Sequence, residues 1–139
     1  FDHSEILRIQ PQLMLSEQYV LLRIAPHEHG LVIQKIIAPK EKGGAFRGIE
    51  VTGGSIGTSM ARLWKGEVGA AVLNPGHNTP WDLCPIVGIS QKLGFVFLRA
   101  EDGNLVMFEP EVCAEIRAAE HDVLVIHRSR LDELESTFT

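Results

Sequence analysis

Apolar residues in the first third of the chain recur mainly at the spacings of an α-helix. Ser16 followed by Glu17 is typical of a helix start, because a hydroxyl oxygen accepts from unpaired N–H groups and an acid suits the positive helix end. We predict one helix over residues 16–25 and a second over residues 31–37. The proline and glycine between them break the hydrogen-bond ladder, so the pattern predicts a helical hairpin.

Beyond residue 47 the pattern becomes extended, with short apolar runs separated by turn residues. A short helix is predicted over residues 58–64, where Thr58 supplies a capping hydroxyl. The Asp102-Gly103 pair is a hairpin signal. Strands are predicted at residues 48–51, 70–73, 86–89, 95–98, 105–108 and 123–126. The prediction is an α+β fold in which a helical hairpin precedes a small, mostly antiparallel sheet with one or two short helices.

The last two predicted strands are joined by a linker that contains Pro110 and the single apolar anchor Ile116. Asp122 stands directly before the final strand, where an acid more often holds a turn through its neighbours' backbone N–H groups than acts as a catalytic acid. The expected organisation is a helical hairpin and linker at 1–47, a lobe that contains the sheet at 48–128 and a tail at 129–139. The tail is predicted to be a frayed helix or disordered.

Composition restricts the function classes. The 139 residues are 45% apolar, which suits one domain with its own core. A formal charge of −5 without a basic stripe argues against a nucleic-acid partner. Cys84 and Cys113 lack CxxC spacing and are predicted to be reduced thiols, so a cytoplasmic location is favoured. Because the chain begins with Phe1, we expect it to be an excised piece of a longer protein, such as the cytosolic part of an inner-membrane protein.

Three residues in the predicted turn carry the first candidate chemistry. His27, Glu28 and His29 place two imidazoles and a carboxylate together, and these groups bind divalent metals. Further ligands would have to come from His77, Cys84 or His121, which no spacing brings close. Exposed turn histidines are the favoured interpretation, and a small metal-dependent enzyme using His27 and His29 is the alternative.

Two further features allow a ligand-binding and a structural interpretation. The glycine-rich residues 53–57 precede a predicted helix and could cradle an anion, but they lack the lysine and spacing of a P-loop. A strand-to-helix turn is favoured. Trp64 and Trp81 could stack a planar ligand, although core or interface anchors are the commoner role.

Taken in order, these elements resemble the C-terminal lobe of the RCK regulators of potassium conductance, also called TrkA-C. Residues 51–63 are similar to that lobe's opening strand, Ser-x-x-Gly-x-Ser/Thr turn and short helix. Residues 86–89 end in Val-Gly-Ile and are similar to its central strand. Residues 105–110, Ile116 and residues 122–126 are similar to its closing pattern. The resemblance spans residues 16–127.

The resemblance implies a ligand-sensing regulatory domain of a potassium channel or transporter, without catalysis. It implies a homodimer through the C-terminal lobe, coupled to a membrane part of the same or an associated chain. Its ligand would be a divalent cation or a nucleotide such as cyclic di-AMP. Arg62, Pro85 and Ile86 are the ligand-site candidates, because the resemblance places them near the dimer surface.

A second resemblance remains open. Residues 48–55, followed by Lys65-Gly66-Glu67-Val68, are similar to the mobile loop and next strand of a ten-kilodalton co-chaperonin, and residues 103–114 fit the end of that fold loosely. Against it, Glu50 interrupts the apolar tripeptide of such loops. The helical first third also has no place in that fold. The alternative function is a co-chaperonin-like protein-binding module.

Overall fold

The computed structural model describes residues 7–53, 55–73, 80–109 and 122–136, with only the backbone at 80–83. This part of the chain contains six strands and four α-helices. The strands are β1 (Tyr19–Leu22), β2 (Gly48–Val51), β3 (Ala70–Leu73), β4 (Phe95–Glu101), β5 (Asn104–Phe108) and β6 (Val123–His127). The helices are α1 (Leu31–Ile37), α2 (Ile56–Trp64), α3 (Pro80–Lys92) and α4 (Leu131–Glu135).

The strands form one mixed sheet in the order β2-β1-β3-β6-β4-β5. Strand β1 pairs in parallel with both β2 and β3. The other pairs, β3 with β6, β6 with β4 and β4 with β5, are antiparallel. Strand β6 therefore lies between a parallel part built from the first half of the chain and the β4–β5 hairpin.

Helices cover both faces of the sheet. The β1–α1–β2 and β2–α2–β3 connections run in opposite directions across the sheet, so right-handed crossovers place α1 and α2 on opposite faces. Two buried clusters agree with this placement. Residues of α2 and α3, including Met60 and Ile86, pack on one face. Residues of α1 and α4, including Ile33 and Leu134, pack on the other.

The first predicted helix is wrong. Residues 16–25 contain the end of a 3-10 turn at Leu15–Glu17 and then strand β1. Three of the four residues of β1 are buried, and both faces of the strand are covered by helices. A strand buried on both faces is a continuous apolar run, which periodicity alone does not separate from a buried helix. The predicted helical hairpin is therefore replaced by a strand, a turn and α1.

The predicted central strand at residues 86–89 is also wrong, because these residues lie inside α3. Ile86, Val87 and Ser90 are buried, whereas Gly88 and Ile89 are exposed. That spacing is helical rather than alternating. The sheet is mixed rather than mostly antiparallel in its first half, since β1, β2 and β3 run in parallel.

Several local predictions are confirmed. Helix α1 and strands β2 and β3 have the predicted bounds, and the strands predicted at 95–98, 105–108 and 123–126 lie within β4, β5 and β6. The β4–β5 turn has Asp102 at φ 50° and Gly103 at φ 80°, the left-handed conformation that an Asp-Gly hairpin turn requires. The tail forms α4 through residue 135. The linker anchors Pro110 and Ile116 lie outside the described residues.

Candidate functional site

The carboxyl ends of the three parallel strands meet at one edge of the sheet. The connection at residues 23–30 follows β1 and the connection at 52–55 follows β2. Val123 pairs with Leu73, the last residue of β3, so Asp122 lies at the same edge. We call these two connections and Asp122 the carboxyl edge. In open α/β sheets, ligands bind outside the carboxyl ends of the parallel strands.

The N-terminus of α2 opens onto the carboxyl edge. Ser55 is its N-cap residue and makes no side-chain cap bond. The hydroxyl of Ser59 bonds back to the Ser55 carbonyl at 3.3 Å and lies 3.2 Å from the Thr52 hydroxyl. A side chain added at Gly53 would meet nothing within 4 Å. The first N–H groups of a helix have no intrahelical acceptor, so this end of α2 has the polarity that suits an anion.

A buried histidine and aspartate join two parts of the carboxyl edge. His29 Nδ1 lies 2.9 Å from Asp122 Oδ1, and the two side chains are 0% and 5% exposed. Asp122 Oδ2 accepts the Gly30 N–H at 2.8 Å. The aspartate thus holds the connection before α1, as expected of an acid that binds backbone N–H groups, but its partners lie 92 and 93 positions away.

The predicted metal-binding residues point to separate partners. Glu28 accepts the Ala25 N–H at 3.0 Å, and His27 is exposed beside a groove of about 480 Å³. His29 is buried rather than an exposed turn residue. Within the described residues, no group of three or more His, Cys, Asp or Glu side chains is placed to hold a metal ion. His77 and His121 lie outside those residues.

Cys84 is disulfide-bonded, so the prediction of a reduced thiol at this position is wrong. Cys113, the only other cysteine in the sequence, lies outside the described residues. A disulfide persists most readily in an oxidising compartment. The argument for a cytoplasmic location that rested on free thiols is therefore lost.

The ligand-site candidate Arg62 is held by carboxylates. Its guanidinium binds Glu50, with Nη2 to Oε1 at 3.3 Å, and Nε donates to Glu67 at 3.2 Å. The hydrogen bond from Arg62 lowers the pKa of Glu50, and Glu50 in turn raises the pKa of Arg62. The pKa of Glu67 is lowered chiefly by Lys65. The guanidinium already has anionic partners, and its predicted ligand role stays a prediction.

The other two ligand-site candidates lie in helix α3 and not at a strand edge. Pro85 is exposed inside the helix, whereas Ile86 is buried in the core. Trp64 is also a core residue, and its indole N–H donates to the buried hydroxyl of Ser90 at 2.9 Å. The side chain of Trp81 lies outside the described part. The predicted ligand role of Pro85 and Ile86 also stays a prediction.

The comparisons with known proteins bear on the fold. No family model matches the chain, and no curated protein matches it in sequence. Two structures of the extragenic suppressor protein suhB from Bartonella henselae superpose with a TM-score of 0.59, at 10% and 13% identity over 96% and 94% of this chain. A structure entitled 2'AMP bound SaIMPase-II superposes with a TM-score of 0.55, at 16% identity over 94% of this chain.

The chain shares the fold of part of these proteins. It covers 46–47% of their lengths, so it spans about half of each. The neighbours are suhB and inositol monophosphatase-like proteins, which gives no support to an RCK lobe. The prediction of a potassium-regulatory domain without catalysis is therefore wrong. The co-chaperonin alternative is wrong as well, because residues 48–51 of its proposed mobile loop form strand β2 of the sheet.

Among the described residues, no helix is both long and apolar enough to cross a membrane. The general α+β class is confirmed, whereas the TrkA-C architecture is not.

Proposed function

We propose that this chain forms the phosphate-binding half of a phosphatase-like enzyme with the suhB and inositol monophosphatase fold. The observation that carries the proposal is the superposition of 94–96% of the chain on about half of such proteins. One of those proteins is described as bound to 2'-AMP, a phosphate ester. The substrate class proposed for this chain is accordingly a small phosphate ester.

The carboxyl edge supports the proposal in its own geometry. Helix α2 begins there without a side-chain cap, and Gly53 leaves room for a ligand to approach the backbone. Backbone N–H groups at a helix start bind phosphate oxygens, and the helix dipole favours the negative charge.

The fold also suggests dependence on a divalent cation, which is one of the two kinds of ligand that the resemblance to an RCK lobe implied. The described residues do not fit such an ion by themselves, because they contain no group of three or more potential ligands. We therefore assign no step of the reaction to the ion. The chain's own contribution is the placement of the phosphate against α2 and of the Thr52 and Ser59 hydroxyls beside it.

A negative charge added at the start of α2 tests the proposal. A Cβ at Gly57 would lie 3.7 Å from the Ser55 hydroxyl, an ordinary contact, so a small side chain fits. Gly57→Asp would favour the helix start through the dipole and repel a phosphate, whereas Gly57→Asn has the same shape without the charge. Binding of inorganic phosphate and 2'-AMP would be measured by calorimetry and amide NMR, with and without Mg²⁺.

We expect Gly57→Asp to weaken phosphate binding by about tenfold or more through charge repulsion, and Gly57→Asn to weaken it by less than about threefold. Amide shifts in the wild type should change at residues 52–59. If the wild-type chain binds neither compound under either condition, or if the shifts change only at the opposite edge of the sheet, the proposed function is wrong.

A further inference from the structure

His29 lies at the carboxyl edge with one ring nitrogen unexplained. Its Nδ1 is bonded to Asp122 Oδ1 at 2.9 Å, and Asp122 Oδ2 accepts the Gly30 N–H. Because a carboxylate oxygen accepts, Nδ1 of His29 carries the proton and donates it. In the neutral ring Nε2 then has a free lone pair and is an acceptor.

That second nitrogen is buried and has no hydrogen-bond partner within the part of the chain that the structure describes. The His29 side chain is 0% exposed although Glu28 and Gly30 on either side of it are exposed, so the imidazole is buried beneath a surface connection. Buried polar atoms in native proteins nearly always have a partner, and each exception calls for a physical reason. A histidine whose tautomer is fixed by a carboxylate is the arrangement by which proteins orient the opposite nitrogen toward a ligand.

We propose that His29 Nε2 accepts a hydrogen bond from a sugar or polyol hydroxyl of a phosphate ester bound at the carboxyl edge. Asp122 is the positioning residue, because it binds Nδ1 and so makes Nε2 the acceptor of the neutral ring. The inference rests on the proposed function and deepens it. Helix α2 recognises the phosphate, and His29 distinguishes a hydroxyl-bearing ester from inorganic phosphate.

Two substitutions remove the acceptor by different routes and spare the buried bond. In His29→Asn the amide nitrogen takes the place of Nδ1, so it still donates to Asp122, but nothing replaces Nε2. In Asp122→Asn the side-chain carbonyl still accepts from Gly30, and the amide donates to His29 Nδ1. The imidazole proton then moves to Nε2, which changes from an acceptor into a donor. Nitrogen NMR of the imidazole reports that change directly.

The experiment compares binding of 2'-AMP and of inorganic phosphate by calorimetry in Mg²⁺ buffer. It uses the full chain as wild type, His29→Asn, Asp122→Asn and the control His127→Asn. The control histidine lies at the end of β6, at the opposite edge of the sheet. Thermal unfolding identifies any variant that fails to fold, and either of the two test variants suffices for the result.

We expect both test variants to bind 2'-AMP about tenfold more weakly than the wild type does, as for loss of one hydrogen bond. Phosphate binding should change by less than about twofold, and the control should match the wild type for both compounds. The inference is overturned if a folded test variant binds 2'-AMP like the wild type. It is also overturned if the wild type binds 2'-AMP no more tightly than phosphate. Absence of all binding by the wild type would instead overturn the proposed function, and the inference with it.

Discussion

At the scale of single residues, His127 makes the stability of the molecule depend on pH. Its ring packs edge-on against Phe95 with centroids 5.2 Å apart, and its Nδ1 lies 2.8 Å from the Ser129 hydroxyl. Burial lowers the pKa of His127 below its ordinary 6.5, despite a hydrogen bond to Leu93 that acts in the other direction. The folded state therefore binds this proton less readily than the unfolded chain does.

This sign predicts that the His127 contribution is present above about pH 6.5 and is lost as the pH falls toward the lowered pKa. Urea unfolding at about pH 7.5 and pH 5.5 would show it, with a decrease of less than about 1 kcal/mol because solvent screens a partly exposed group. His127→Asn should have a smaller decrease over the same interval. Equal decreases in both proteins would contradict the assignment.

Residue chemistry was only partly predictable. The acid before β6 is predicted to hold a turn through its neighbours' backbone N–H groups, whereas the backbone N–H that it binds is that of Gly30, 92 positions away. Its partner His29 was expected to be exposed in a turn. The two residues are 93 positions apart, and nothing local in either segment indicates the pair. Only the placement of β1 beside β3, and of β6 on the other side of β3, brings them together.

At the scale of secondary-structure elements, α3 provides a direct test. Gly88 lies inside this helix, and a side chain added there would meet nothing within 4 Å. Gly88→Ala should therefore raise the free energy of unfolding by about 0.5–1 kcal/mol, since alanine loses less conformational entropy in a helix. Gly103→Ala is the matched control. It should lower stability by about 1 kcal/mol, because Gly103 has φ 80°.

Urea denaturation of the two variants would measure both effects. A loss of stability in Gly88→Ala would mean that residue 88 does not lie in an unobstructed helix interior.

The same helix shows why some elements were predicted and others were not. The hairpin of β4 and β5 carries its own turn chemistry at Asp102 and Gly103, so local residues determine it. Residues 86–89 are β-branched apart from one glycine and follow a proline, which locally favours a strand. Packing against α2 and the sheet overrides that preference. Ile86 and Val87 can both face this core from a helix, whereas two successive residues of a strand face opposite sides.

At the scale of the whole molecule, the order of short elements proved too weak to identify a function. The resemblance to a potassium-regulatory lobe depended on a central strand at 86–89 and on a helical lead-in, and both are replaced in the structure. Each matched motif was a few residues long, and such motifs recur on unrelated folds. Superposition over 94–96% of the chain identifies the fold because it depends on the topology as a whole, but a shared fold does not by itself give a function.

The position of β6 predicts how the whole sheet responds to truncation. Strand β6 pairs with β3 on one side and β4 on the other. A chain ended after residue 121 should lack a cooperative unfolding transition in urea, because the parallel part and the β4–β5 hairpin lose the strand that joins them. A chain ended after residue 136 should unfold cooperatively like the full chain. A cooperative transition in the shorter chain would show that the parallel part folds without β6.

That arrangement also has a consequence for synthesis on the ribosome. The strand that completes the middle of the sheet is the last of the six described strands to be made, and its partner β3 lies about 50 residues earlier in the chain. Until it emerges, the growing chain exposes the unpaired edges of β3 and β4, which are surfaces for association with other chains. We therefore expect the sheet to be completed only after residue 127 has emerged, and the incomplete nascent chain to be a substrate for chaperones.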